Sequence, residues 1–343
     1  MPRFPTVGWL FPDFPALPSV RICGLNVHAE MVAQGIDSHL VRLEGPPVAR
    51  AGDSCLDAVR NELRARSIQV AIVHRHYRWT IPSLRDFCDI AGVRLVYYAC
   101  DPIEELAPLR CVDGIIASSN VLRAHFSRAL PGKDVVYIPD AHETPSNAAK
   151  TSYRSGRGLR LAHISSRRLE TIPFSSDESC YRLDTIGART ALDFVGAFSS
   201  RLFRRAFRWK HPGRAVPVPT RYSWDPGTVL EQLLSCDVGI IPADAHPLRW
   251  KSNNRLTQLM SVGLPTIAYP TEAYEEIVEH GENAMLARST EEWDNALEQL
   301  RDEQTREYIG RNAWRTTYRQ FHVSGIVKAI GAWLNAGLDQ RQA

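Results

Sequence analysis

Lys251, Asn254, Arg255 and Gln258 cluster in the stretch KSNNRLTQLMSVGLPTIAYPTEAYEEIVEHGENA, residues 251–284. Leu256, Leu259, Met260 and Gly263 fall at i, i+3, i+4 and i+7, the apolar face of a short helix that Ser252 or Asn253 caps and Gly263 ends. Asn254, Arg255 and Gln258 make a second, polar stripe, with Lys251 just ahead of the cap. A helix N-terminus carries roughly half a positive charge. Two cations beside it describe a place for a phosphate, although the spacing also suits a capped core helix with ordinary surface cations. A second group, His74-Arg75-His76, follows the apolar run at 70–73. Histidines at i and i+2 of a strand point the same way; with no third ligand nearby in sequence, no metal site is expected. Arg21 and Asp101 each follow a predicted strand, where open α/β sheets place their ligands. Arg21 is a candidate substrate contact or a solvated arginine, and Asp101 is placed to be a base.

The elements that position these residues alternate. Residues 6–11 form the first predicted strand, followed by a Pro-rich loop and a helix capped at Ser19 with Val20, Gly24, Val27 and Met31 on one face. Asp53 caps a helix with Leu56, Val59 and Leu63 inward, and Pro82 starts another with Leu84, Phe87 and Cys88 inward. Strands are predicted at 70–73, 93–97, 114–118 and 135–138, with a helix over 120–130. Strand and helix in alternation predict a parallel, doubly wound sheet. Residues 141–158 are rich in Ser, Thr, Asn, Gly and Arg without hydrophobic period and make the linker to a second α/β half. That half begins with a strand at 159–164, and the stretch from there to Gly187 shows no regular period. After Gly263, the run 264–269 is a buried strand and Thr271 caps a helix that stops at Gly281. Ser289 and Glu292 form a capping box, and Ile326, Val327, Ile330, Trp333 and Leu334 give the last helix one apolar face.

The run RLTQLMSVGLPTIA, then Glu276, then the turn from Gly281 to Ala284, resembles the donor-binding segment of GT-B glycosyltransferases, especially the retaining group often called glycosyltransferase family 4. Gly263 and Pro265 match that family's G-x-P. Gln258 stands where its ribose-binding Glu is expected, and Trp250 where an earlier sugar-contacting Glu is expected. Other stretches are also similar: the strand at 192–196, and Cys236 to Pro242 as the step into the donor site. The resemblance implies two Rossmann-like, doubly wound parallel-sheet domains facing a cleft: residues 1–150 for the acceptor, 151–322 for the nucleotide sugar, and 323–343 as a C-terminal helix crossing back to the N-domain. It also implies that a histidine at the end of the strand at 70–73 faces the donor sugar, His76 first and His74 second. Glu276 would meet the donor sugar, and Arg167 and Arg168 the diphosphate.

With 343 residues, 44% hydrophobic and 23% charged, the composition is that of an ordinary globular chain of about two domains. No run of about 18 apolar residues exists and the N-terminus lacks a leader pattern, so a cytoplasmic protein is expected. Seven cysteines without a C-x-x-C pair suit a reducing compartment and neither a disulfide framework nor a zinc site. Net charge of +3 is too small to argue for nucleic acid by itself, and no nucleic-acid partner is expected. Only five of the 41 basic residues are lysines. Arg201, Arg204, Arg205 and Arg208 line one face of an amphipathic segment, a solvated face or a peripheral contact with the inner membrane surface.

Together these features predict transfer of a sugar from a nucleoside-diphosphate sugar to a hydroxyl on a glycan, a lipid-linked or a small-molecule acceptor, in cell-surface polysaccharide or glycoconjugate synthesis. No resident cofactor is expected, and with no D-x-D motif the transfer is expected to be metal-independent. Retention is favoured by the resemblance; inversion would call on Asp101 or His76 as base. A sugar-nucleotide epimerase would share the donor cleft without an acceptor. A dehydrogenase is disfavoured because no G-x-G-x-x-G follows the first strand. A non-catalytic partner subunit is the rival of another class, on account of Trp250 and Gln258.

Overall fold

The computed structural model describes residues 4–12, 17–43, 53–75, 77–103, 105–144, 148–165, 172–175, 181–187, 220–225, 227–243 and 252–342. The chain divides into two compact units, Met1–Glu143 with Trp250–Asn253 and Gln320–Ala343, and Thr144–Arg249 with Asn254–Arg319. The expected strand at 192–196 and the arginine face at 201–208 lie outside the described residues.

Unit 1 is built on β1 (Val7–Pro12), β2 (Ser38–Leu43), β3 (Val70–Val73), β4 (Arg94–Ala99), β5 (Gly114–Ala117) and β6 (Asp134–Tyr137). They form one six-stranded sheet in the order β2-β1-β3-β4-β5-β6, with every pairing parallel. Successive residues of a strand point to opposite faces. Leu10, Ala71, Val73, Leu95 and Ile115 accordingly enter one core, under the helices Asp53–Ala65 and Tyr77–Ala91. Trp9, Val70, Ile72, Val96 and Ile116 enter the other, with Val27 and Met31 and with Ile326, Val327, Ile330 and Leu334 of the C-terminal helix Val323–Gln342. Both faces being apolar, the strands read as continuous hydrophobic runs. Arg94 fastens that helix: its guanidinium lies 4.4 Å from the Trp333 ring, donates to Leu334 O at 3.3 Å and pairs with Asp134 at 2.8 Å.

Two expected helix starts are displaced. The helix expected at Ser19 begins at Pro18 behind Leu17, which makes no side-chain cap bond, and continues as a π-helical turn Arg21–Leu25 before Asn26–Ala33. Proline at the first helical position needs no N–H partner, which frees the Ser19 hydroxyl for Arg75 Nε at 3.1 Å. Pro82 lies inside Tyr77–Ala91 instead of starting it, early enough that its missing N–H removes a single helical bond.

Unit 2 holds β7 (Leu159–Ile164), β8 (Tyr181–Gly187), β9 (Thr220–Ser223), β10 (Val238–Ile241), β11 (Thr266–Ala268) and β12 (Met285–Leu286). Its sheet runs β12-β11-β10-β7-β8-β9, again wholly parallel. Leu161, Leu183, Val238, Ile240 and Ile267 pack on one face with Trp293 and Leu297 of the helix Thr290–Gln299, whose Ser289/Glu292 capping box forms as expected. β8 is a strand where no regular period was expected. Asp184 at the centre of β8 is 1% exposed and ion-paired with Arg160, so a buried charge interrupts the apolar pattern of an interior strand.

At the end of β8 a Cβ on Gly187 would stand 2.2 Å from Ser165 O, while Ser165 N donates to Ile186 O at 3.0 Å. Gly187→Ala must therefore push two ladder-bonded backbones apart, and it should destabilise unit 2 by about 1–3 kcal/mol in a denaturant melt. An unchanged midpoint would show that the β7–β8 register yields freely. Among the described residues no helix is long and apolar enough to cross a membrane.

Candidate functional site

Each sheet reverses its winding once. In unit 1 the chain goes from β1 outward to β2 and returns to β3 on the other side; in unit 2 it goes from β7 to β8 and β9 and returns to β10. Ligands of open α/β sheets sit beyond the carboxyl ends of the strands at such reversals. The candidates of the two units are described separately.

In unit 1, β3 runs directly into His74 and Arg75. Arg75 has φ +70°, a left-handed conformation that non-glycine residues adopt at a cost of about 1–3 kcal/mol and that is concentrated at functional sites. The turn aims its guanidinium across the sheet edge: Nη2 donates to Asp101 Oδ2 at 2.6 Å and to Cys100 Sγ at 3.7 Å, and Nε to Ser19. Burial opposes the Arg75 charge, but the Cys100 sulfur and the Asp101 carboxylate hold the group more firmly protonated than usual. The pair is a third or more exposed on each side chain, 33% and 40%. Asp101 is thus an ion-paired carboxylate held at the mouth of the edge. Sequence inspection missed Arg75; its only signal was an arginine and a carboxylate at the ends of two strands that turned out to be adjacent.

Arg21 is 8% exposed on the π-helical turn and grips Glu143 with two parallel bonds, Nε–Oε1 at 2.8 Å and Nη2–Oε2 at 3.2 Å. The geometry fixes the arginine and neutralises it. His74 is 1% exposed; its Nδ1 lies 2.9 Å from Tyr98 O, and its ring packs edge-on against Phe11 and Tyr98. His74 is therefore a core residue in this structure, because β3 and β4 are interior strands and the residue after β3 still lies beneath the edge. His76 lies outside the described residues.

In unit 2, the helix Asn254–Ser261 follows β10, as its apolar period requires: Leu256, Leu259 and Met260 are fully buried. Gly263 ends it at φ +74°, where Gly263 N donates to Met260 O at 2.9 Å. The polar stripe of Asn254, Arg255 and Gln258 is half-buried along the remaining side. Gln258 Nε2 reaches Thr144 Oγ1 at 3.4 Å, and that hydroxyl is 2.5 Å from Ser261 Oγ, so the amide is steadied from within unit 2. β11 leads to Thr271, whose side chain caps the single helical turn Glu272–Glu275, and Glu276 follows exposed at its C-cap. The second helix is thus shorter than expected. Asn283 replaces its further turns, donating to Ile277 O at 3.0 Å and accepting from Glu279 N at 3.0 Å, and Gly281 at φ +80° completes the turn. Arg167, Arg168, Trp250 and Lys251 lie outside the described residues. A helix start with an asparagine and an arginine, next to a sheet reversal, suits an anion such as a phosphate.

Residues 186–331 match a family described as glycosyl transferase-like. No curated protein matches the sequence. Among solved structures, HepE from Anabaena in complex with UDP and glucose is similar at 15% identity and TM-score 0.67, over 97% of this chain and 100% of that one. A glycosyltransferase from Rickettsia africae aligns at 9% identity, TM-score 0.70, over 98% and 99% of the two chains. Sucrose-phosphate synthase from Thermosynechococcus elongatus aligns at 12% identity, TM-score 0.70, over 97% and 99%. The end-to-end likeness gives the GT-B fold, and the glycosyl transferase-like segment contains the helix Asn254–Ser261 and Glu276.

Proposed function

We propose that this chain transfers a sugar from a nucleoside-diphosphate sugar, bound by unit 2, to a hydroxyl acceptor bound by unit 1, with retention at the anomeric carbon and without a metal ion. The observation that carries the reading is the helix Asn254–Ser261 starting beyond the carboxyl edge of β10 inside the glycosyl transferase-like segment. When the glycosidic bond to phosphate breaks, negative charge grows on the leaving diphosphate, and fixed donors and cations aimed at that charge lower the barrier. Asn254 and Arg255 supply them at the helix start, together with Lys251, Arg167 and Arg168. Glu276 would hold the donor sugar and Gln258 the ribose side. HepE was solved with UDP and with UDP-glucose, which supports a uridine nucleotide as the first donor to try. On the acceptor side, Arg21 is locked by Glu143 and Arg75 by Asp101, so Asp101 and His76 position groups and do not need to take a proton in a retaining transfer. The setting that fits is the cytoplasmic face of the membrane, with Arg201–Arg208 as the surface contact, in the synthesis of surface polysaccharide or glycoconjugate. Membership of family 4 is part of the same proposal.

A thermal-shift series with UDP, GDP, CDP, ADP and dTDP and their sugars tests this. A nucleotide at 100 times its dissociation constant adds about 2.7 kcal/mol of stability, and each kcal/mol raises the melting temperature of a unit of this size by roughly 2–4 °C. UDP or one rival should stabilise the chain, and a sugar nucleotide of that base should then be consumed with an acceptor present and with chelator added. One observation favours a second reading, a nucleotide-free partner subunit: the ribose carboxylate of the family is here an amide that bonds to Thr144. No shift with any nucleotide would establish that second reading.

A further inference from the structure

We propose that Cys23, His74 and Cys100 form a structural zinc site in the core of unit 1. Cys23 sits on the π-helical turn behind β1, His74 directly behind β3 and Cys100 directly behind β4. They are 0%, 1% and 4% exposed. One ligand atom from each lies within 4.8 Å of the others. Tetrahedral zinc, with bonds of about 2.3 Å to sulfur and 2.0 Å to nitrogen, needs its ligand atoms roughly 3.3–3.8 Å apart, a contraction of at most about 1–1.5 Å.

The state of each ligand fits. His74 Nδ1 faces the Tyr98 carbonyl at 2.9 Å and must carry the proton, which leaves Nε2 as a bare lone pair. Nε2 is buried and has no hydrogen-bond partner among the described residues. A buried nitrogen in that condition is costly unless something binds it. A backbone carbonyl on the second ring nitrogen is also the arrangement that orients metal-bound histidines. Zinc would displace the thiol protons of Cys23 and Cys100 on binding.

Two thiolates neutralise the dication, and Arg75 stays paired with Asp101. Asp140 Oδ1 is 3.2 Å from both Cys23 Sγ and Tyr98 Oη, so the carboxylate either steadies Cys23 or completes the coordination. Soft sulfur with imidazole selects zinc over magnesium or calcium. The ion would tie together the three segments that shape the edge beneath Arg75 and Asp101, and it takes no part in sugar transfer. The inference stands whether or not the donor reading holds.

The test uses the full chain without a histidine tag, grown in zinc-supplemented medium and analysed for metal by mass spectrometry, with cobalt(II) exchanged in as a spectroscopic probe. About one zinc per folded chain is expected, and the cobalt form should show sulfur-to-cobalt charge-transfer absorption and intense tetrahedral bands. Cys23→Ser, Cys100→Ser and His74→Ala should lose the metal, whereas Cys88→Ser and Cys111→Ser should keep it. If the site variants fail to fold, the cobalt spectrum of the unaltered chain decides. Folded protein that takes up neither zinc nor cobalt, or cobalt without charge-transfer absorption, would overturn the assignment, as would a Cys23–Cys100 disulfide in protein that binds no metal.

Discussion

Arg306→Leu is expected to lower the stability of unit 2 by about 3–5 kcal/mol, the range that follows when a buried charged network loses its centre. Arg306 is 1% exposed and ion-paired with no carboxylate among the described residues. Its partners are carbonyls and a hydroxyl: Leu300 O at 2.7 Å, Arg301 O at 2.8 Å, Tyr153 O at 2.5 Å and Ser155 Oγ at 3.1 Å. Leu300 is the C-cap of Thr290–Gln299, so the guanidinium lies at the negative end of that helix dipole. Leucine would fill much of the volume and leave the buried carbonyls of Leu300 and Tyr153, and the part-buried one of Arg301, without these donors, each buried one worth about 1–3 kcal/mol. The effect reaches the candidate site, because Tyr153 Oη donates to Gly263 O at 2.9 Å, at the close of the helix Asn254–Ser261. A Cβ on Gly310 would meet Gly263 O at 2.4 Å, so the backbones are already in contact there. Equilibrium unfolding in urea measures the loss, with Arg306→Lys expected to fall between the two. A loss below about 1 kcal/mol would mean that water reaches the orphaned carbonyls.

What the sequence made legible and what it hid divide along physical lines. The strands of unit 1 were readable because both faces are buried and every residue contributes an apolar side chain; β3 and the pattern Leu10/Trp9 are such cases. β8 was hidden by Asp184, whose charge is met by Arg160 from 24 positions away and by Arg182 at 3.8 Å. The face Asn254, Arg255, Gln258 was legible because neighbours at i+1 and i+4 share one helix. Arg75 with Asp101 was not, because 26 residues separate them and the left-handed φ at Arg75 that joins them leaves no trace in composition. The neighbours of His74 were hidden in the same way: spacing is read along the chain, while the turn behind β1 and the ends of β3 and β4 bring Cys23, His74 and Cys100 within 4.8 Å of one another across it. Burial of His74 was equally invisible, since a histidine at a strand end reads as exposed until the strand is known to be interior.

Arg255→Ala should reduce kcat/KM for the nucleotide sugar by roughly 10- to 150-fold, the equivalent of one charge-assisted hydrogen bond of about 1.5–3 kcal/mol. The split between the constants tells what the residue does. A guanidinium that meets the diphosphate equally in the bound donor and in the transition state would raise KM and leave kcat alone. The proposed chemistry predicts otherwise: charge accumulates on the leaving diphosphate only as the sugar departs, so most of the loss should fall on kcat. Arg255→Lys keeps the charge without the planar fork and should retain an intermediate rate, because a bidentate contact is what the substitution removes. The stripe is half-buried on a helix whose apolar side is untouched, so the melting temperature of the variant without ligand should stay near that of the parent. Asn254→Ala tests the neighbouring position independently, since its Oδ1 is buried without a hydrogen-bond partner among the described residues and the amide is held close to the helix start. A kcat unchanged in both variants, with nucleotide still bound, would move the diphosphate away from this helix and onto the loop after β7, where Arg167 and Arg168 become the residues to replace.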